Sequence, residues 1–241
     1  VSSAAASIRS GPPRPIVLAL APPVAGASAE ADIPCLGMLG GSPLIERLLT
    51  TLRGPGLPPA LVVAAPEPAR QLRSALPGLE VVSAVGGRPG ALRAALDATD
   101  EPLLLVHDAE RALTPESTVT EVLAGLDEQA DAVVPVIPMT DSVKAAPAGR
   151  SGGLRNIDRS TLAGVQSPRL LRRTVLERAL RDAPQAPDEV LGALEIGARV
   201  RTVPGSHSGF AVVDRLSLWQ AQISLGLARD TSHRYGLARR S

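Results

Sequence analysis

The sequence predicts an α/β fold built on a mostly parallel sheet flanked by helices. Two observations carry that prediction. Short apolar runs alternate along the chain with amphipathic stretches long enough for helices. One run, Leu103-Leu104-Leu105-Val106, stops abruptly on His107-Asp108-Ala109-Glu110-Arg111, as a buried strand does when its carboxyl end opens on a ligand site. The same ending fits a strand that simply leaves the core and meets water, and this stretch alone does not separate the two.

Taken in order, residues 16–21 form the first strand and residues 22–41 a long Pro/Gly/Ala connection. Its first part, Ala21-Pro22-Pro23-Val24-Ala25-Gly26-Ala27-Ser28-Ala29-Glu30-Ala31-Asp32, has two prolines without N–H donors, one glycine, no lysine or arginine and two carboxylates. That is a poor cradle for phosphates. Ser42-Pro43 opens a helix, with serine capping and proline in the first position, and Leu44, Ile45, Leu48, Leu49 and Leu52 as its apolar face. Residues 60–65 are a second strand, 68–76 a short helix and 79–85 a third strand. Gly86-Gly87-Arg88-Pro89-Gly90 reads first as a strand-to-helix turn, and second as a close approach to a ligand, ahead of a helix over 91–98.

After the opening strand, Thr114-Pro115 starts a helix running to about residue 130, and residues 132–137 are another strand. Residues 138–162, with a Gly/Arg-rich tip at 149–153, read as a hairpin arm leaving the main sheet, because compact domains seldom keep such long loops without a purpose. Ser167 caps and Pro168 opens a helix over 169–181. Another helix begins at Pro187-Asp188-Glu189 and ends near residue 196. Residues 200–203 and 210–213 are late strands, and 216–227 a closing helix. Residues 1–15, rich in Ser, Ala, Gly and Pro, read as a disordered tail, 16–228 as a single domain and 229–241 as a basic, frayed tail. No internal repeat stands out.

Composition excludes several function classes. One Phe, one Trp and one Tyr in 241 residues leave the core to Ala, Val, Leu and Ile, and provide no aromatic platform for stacking bases. The balance of 25 basic against 24 acidic residues gives no electrostatic footprint for nucleic acid. No run approaches the roughly 18 apolar residues that cross a membrane. Cys35, the single cysteine, excludes an internal disulfide and a cysteine metal cluster and fits a reducing cytoplasm. Little recommends it as a nucleophile. His107 reads as readily as a structural hydrogen-bonding residue as a participant in chemistry, and His207 and His233 as surface residues.

Three segments in register carry a family resemblance. Val106-His107-Asp108-Ala109 with Arg111 is similar to a V-H-D-A-A-R motif. Pro135-Val136 followed by Asp141-Ser142-Val143-Lys144 is similar to P-V then D-T-x-K. Ile157-Asp158-Arg159 and Val165-Gln166-Ser167-Pro168 are similar to a D-R and Q-T-P-Q region, with Arg169 where glutamine is usual. Asp188-Glu189 matches an acidic pair less closely. Together they resemble the 2-C-methyl-D-erythritol 4-phosphate cytidylyltransferases of isoprenoid precursor synthesis, over residues 16 to about 222.

The resemblance implies a Rossmann-like nucleotidyltransferase sheet with a projecting β-arm. It also implies a cytoplasmic homodimer formed through the 138–162 arm, whose arms help to complete each other's substrate site. The implied reaction joins a polyol phosphate to CTP and releases pyrophosphate, with Mg²⁺ as the metal, Asp108 as its carboxylate or the substrate's, and no bound organic cofactor. Arg111, Asp141, Ser142, Lys144, Arg159 and Ser167 would hold the polyol phosphate, and Gly86, Gly87 and Arg88 would face the nucleotide. Lys144 and Arg159 equally fit charges that merely solvate an exposed arm.

The departures fall on the nucleotide side. The family's first loop, approximately A-A-G-x-G-x-R and then P-K, is matched here by Ala21-Pro22-Pro23-Val24-Ala25-Gly26 without the arginine, and by Pro34-Cys35 without the lysine. Ala91 stands where a serine is usual, and Ala211 where a late lysine is usual. At roughly 1.5–3 kcal/mol per charge-assisted contact, three missing cations amount to about 4–9 kcal/mol. That is about a thousandfold to a millionfold in rate. Two expectations follow: a cytidylyltransferase with impaired activity, or a catalytically degenerate homologue serving as a dimeric binding or regulatory protein.

Overall fold

The apolar run over 103–106 divides its side chains between two cores. Leu103 and Leu105 pack on one, Leu104 and Val106 on the other, as the two-residue period of a strand covered on both faces requires. The computed structural model describes residues 11–21, 33–146 and 153–227. Most of the predicted tails, most of the first loop and most of the arm's tip lie outside these residues, as does His233.

In chain order the elements are β1 (Arg14–Ala19), β2 (Met38–Leu39), β3 (Ser42–Pro43), α1 (Leu44–Arg53), β4 (Leu61–Ala64), α2 (Pro66–Ala75), β5 (Val81–Ser83), α3 (Gly87–Asp97), β6 (Leu103–Asp108), α4 (Glu116–Ala124) and β7 (Ala132–Pro138). They continue with β8 (Val143–Ala145), β9 (Arg155–Ile157), β10 (Ala163–Val165), β11 (Arg169–Arg172), α5 (Arg173–Asp182), α6 (Glu189–Glu195), β12 (Val200–Pro204) and α7 (Arg215–Ser224). Strands β5, β4, β1 and β6 run parallel in that spatial order. β11 enters antiparallel between β6 and β7, β10 pairs antiparallel farther along β7, and β12 lies parallel to β7. Leu44, Ile45, Leu48, Leu49 and Leu52 of α1 pack on one face of the sheet. Ala91, Leu92 and Ala95 of α3 and Leu176 of α5 pack on the other. The result is the predicted Rossmann-like layering, and β8 and β9 form a separate two-stranded hairpin between β7 and β10.

Five predicted elements change. Ser42 and Pro43 pair with β2 instead of capping and opening α1, and no side chain caps that helix. Ser167 does not cap a helix. Residues 169–172 are a strand, Ser167-Pro168 is a cis peptide, and α5 starts at Arg173. Leu170 and Leu171 face opposite cores, a demand of the strand that the prolyl start had concealed. Helix α4 stops at Gly125, well short of residue 130, where an added Cβ would lie 2.8 Å from Val133 Cγ1. Residues 210–213 are not a strand; the backbone N–H of Val212 bonds to the carbonyl of Glu110 instead. Helix α3 begins earlier than predicted, at Gly87, because Gly86 takes the left-handed conformation (φ 86°) that turns the chain into it. At Gly90 a side chain has no space, since a Cβ would sit 1.8 Å from the carbonyl oxygen of Val85.

Candidate active site

Strand alternation sends His107 and Asp108 to opposite faces of the sheet at the carboxyl end of β6. Asp108 meets Arg88 from the first turn of α3, with Nη1 2.6 Å from Oδ1, and Arg169 from the start of β11, with Nη2 3.7 Å from Oδ2. Glu189, the first residue of α6, lies beneath both arginines. It accepts from Arg88 Nε at 2.6 Å and Nη2 at 2.7 Å, and from Arg169 Nη1 at 2.8 Å. Asp188 caps α6 by accepting from the N–H groups of Val190 and Leu191, which fixes the turn that aims Glu189 inward. Burial works against the Glu189 charge, but the Arg88 hydrogen bonds and the Arg169 charge win and bring its pKa down to about 2.

A neutral relay lies beside this cluster. Ser167 Oγ accepts from the backbone N–H of Asp108 at 3.2 Å and lies 3.2 Å from His107 Nδ1. The same Nδ1 is 3.0 Å from the carbonyl oxygen of Asp108, so His107 carries its proton on Nδ1 and ties Asp108 to Ser167. Burial drives the His107 pKa down to about 4, and its Nε2 has no partner among the described residues. Gln166 fixes the neighbouring backbone: its side chain donates to the carbonyl of Ser206 and accepts from the Ser206 N–H, both at 2.9 Å.

The remaining predicted residues are dispersed. Arg111 donates to the carbonyl of Gly209 at 2.6 Å, and burial lowers its pKa. Asp141, Ser142, Lys144 and Arg159 are exposed on and around the hairpin. Lys144 Nζ donates to Asn156 Oδ1 at 2.8 Å, and Arg159 to the carbonyl of Thr140. Among the described residues no hydrogen bond or ion pair joins these four to the Asp108 cluster. Gly86 and Gly87 are exposed at the start of α3, while Arg88 is committed to two carboxylates. Sequence reasoning passed over the partnership of Arg169 and Glu189. Both residues had been noticed, one as a departure and one as a helix start, but only their burial reveals the pairing.

Cys35 and Glu110 form a second buried group. Cys35 is buried, and burial together with the nearby Glu110 carboxylate holds its thiol neutral, with a pKa of about 12. Burial also raises the pKa of Glu110, whose Oε2 is enclosed without a partner among the described residues. The donor set at Asp108 does not fit Mg²⁺. Both carboxylate oxygens face guanidinium groups, the adjacent Glu189 is saturated by the same two arginines, and among the described residues no group of three His, Cys, Asp or Glu converges on a metal position. A divalent ion there would meet like charge.

Comparison with known proteins places this geometry in a family. The model of the family described as 2-C-methyl-D-erythritol 4-phosphate cytidylyltransferase matches residues 23–226. The chain is 37% identical over 196 residues to a protein of that name from Frankia casuarinae, covering 79% of this chain and 73% of the relative. It is 36% identical over 185 residues to one from Rhodococcus opacus, covering 75% of this chain and 81% of the relative. Among solved structures, the 2-C-methyl-D-erythritol 4-phosphate cytidylyltransferase of Thermus thermophilus aligns with a TM-score of 0.69 at 24% identity, over 88% of this chain and 98% of that one. The 4-diphosphocytidyl-2C-methyl-D-erythritol synthase of Anaerococcus prevotii aligns with a TM-score of 0.74 at 16% identity, over 90% and 99%. These structural likenesses concern the fold. Among the described residues no helix is long and apolar enough to cross a membrane.

Proposed function

Because the chain belongs to the 2-C-methyl-D-erythritol 4-phosphate cytidylyltransferase family, we propose that it catalyses the transfer of a cytidylyl group from CTP to a polyol phosphate, at a rate well below that of a fully equipped nucleotidyltransferase. The observation that carries the proposal is the convergence of Asp108, Ser167, Arg88 and Arg169 at the carboxyl end of β6. In the reaction an oxygen of the substrate phosphate attacks the α-phosphorus of CTP, a P–O–P link forms, and the bond to the leaving pyrophosphate breaks. The protein's share of such chemistry is positioning and charge stabilisation. Asp108 and Ser167, tied through His107, orient the hydroxyl-bearing part of the polyol phosphate, and Arg111 supplies charge nearby. The β8–β9 hairpin brings Lys144 and Arg159 to the site across a homodimer. The protein works in the cytoplasm, where the Cys35 thiol stays reduced. No step is routed through Mg²⁺, for which the Asp108 donor set leaves no seat.

One observation favours a second reading, a binding or regulatory protein. Where the family resemblance calls for a lysine, a neutral thiol stands beside a buried carboxylate oxygen that has no partner among the described residues. Pyrophosphate release with CTP and methylerythritol phosphate tests the first reading. We expect slow but measurable turnover that Asp108→Ala lowers by a further hundredfold or so, the order of one strong charge-assisted contact. A rate indifferent to Asp108→Ala removes the site. Polyol phosphate binding with no turnover selects the second reading, and micromolar CTP affinity contradicts the impairment.

A further inference from the structure

The four-residue cluster is asymmetric. Arg88 is held to Glu189 through both Nε and Nη2, at 2.6 and 2.7 Å, and to Asp108 through Nη1 alone. Arg169 donates to Glu189 at 2.8 Å and to the carbonyl of Gln166 at 3.2 Å, whereas its approach to Asp108 is only 3.7 Å. The side chain of Glu189 has no exposure, while those of Asp108 and Arg88 retain 10% and 21%. The cavity behind the cluster, lined by Arg88, Pro89, Leu92 and Glu189 among others, is about 20 Å³, room for a single water and nothing larger. That space holds no phosphate group, and the exposed edge of the cluster is the one formed by Asp108 and Arg88. Helix α3 adds to the positive field at this point, because its first turn has no side-chain cap.

We propose that Arg88 and Arg169, fixed from beneath by Glu189, form a seat for a phosphate group, and that Asp108 occupies this seat as an internal stand-in until the ligand displaces it. The two guanidiniums and two carboxylates sum to zero charge. With Asp108 turned away, Glu189 leaves the pair with one net positive charge and both forks already oriented, so binding needs little side-chain ordering. Arg169 thereby gives this chain a second cation beside Asp108. This inference deepens the proposed function by assigning the phosphate group of its substrates a place. The phosphate could belong to the polyol phosphate or to the nucleotide, and both offer the same chemistry.

The test is calorimetric titration of the purified full chain with inorganic phosphate and pyrophosphate, alongside thermal unfolding. Asp108→Asn removes the competing anion and is expected to tighten pyrophosphate binding about tenfold or more. It should also lower the melting temperature in phosphate-free buffer, with added phosphate restoring it further than in the wild type. Arg169→Gln, with Asp108 intact, is expected to abolish the wild-type binding and provides the measurement should Asp108→Asn not fold. The inference is overturned if Asp108→Asn binds no more tightly than the wild type, or if Arg169→Gln binds as the wild type does. Competition by glycerol 3-phosphate but not by CTP places the polyol phosphate in the seat, and the reverse places the nucleotide there. Absent CTP turnover with an intact phosphate titration would remove the cytidylyltransferase reading alone. Turnover without the titration signature would remove the seat alone.

Discussion

Glu189→Ala is expected to destabilise the protein by about 3–5 kcal/mol, the range seen when one partner of a buried ion pair is removed. Its carboxylate is the common acceptor for Arg88 and Arg169. Without it, two largely buried guanidiniums share Asp108 alone, and the uncompensated charge repels between Arg88 and Arg169. Against a typical total of 5–15 kcal/mol for a domain, the roughly 3–5 kcal/mol loss is large. In urea the unfolding midpoint should fall by about 1–3 M. Glu189→Gln keeps the shape and some acceptor capacity and should lie between the alanine variant and the wild type. A loss below about 1 kcal/mol for alanine would mean that water already solvates the arginines and that the cluster is not the anchor inferred from its geometry.

Stability is also expected to fall by about 3 kcal/mol as the pH drops from 6.5 towards 4, through His107. Burial depresses its folded pKa to about 4 from an ordinary value of 6.5. Between these values the unfolded chain takes up a proton that the folded chain refuses, so acid favours unfolding. Above pH 6.5 both states are neutral and the contribution is fully retained; below about 4 both are protonated and the penalty levels off. Glu189 extends the decline. Its folded pKa of about 2 lies below the ordinary 4.5, so the stability it contributes above 4.5 drains away as the pH falls towards 2. Urea midpoints measured from pH 7.5 to 4 check the assignment. His107→Asn should be less stable at neutral pH, through its lost contacts with Asp108 and Ser167, yet nearly flat from 6.5 to 4.5. A variant that keeps the wild-type slope would place the titrating group elsewhere.

The parts of the fold written in local pattern were legible. The short all-apolar run ending at His107-Asp108 announced a buried strand, and the spacing of Leu44, Ile45, Leu48, Leu49 and Leu52 announced a helix face. Strand β11 was not legible, because Arg169-Leu170-Leu171-Arg172 is too short to show a period and follows a proline that imitates a helix start. Its identity comes from the open edges of β6 and β7, which are distant in sequence. The run over 210–213 erred the other way: it has a strand's composition, but Val212 gives its N–H to the carbonyl of Glu110 in a loop. Glu189 illustrates the same limit at the site. Its role depends on Arg88, 101 positions away, and nothing in its own neighbourhood distinguishes a buried carboxylate from the acidic first turn of an ordinary helix. The resemblance located Asp108 and Ser167 together, but the commitment of Arg88 to two carboxylates was visible only in three dimensions.

The hairpin of β8 and β9 leaves the sheet after Pro138 and rejoins it at Ala163, and these two residues face each other across the β7–β10 ladder. Its base is therefore latched independently of its length. Residues added or removed beyond the latch need not shift the path from Val165 through Gln166 to Ser167. The outward segment can thus change in length while the relay of His107, Asp108 and Ser167 holds its geometry. In this protein the arm is adjustable in reach on a fixed socket.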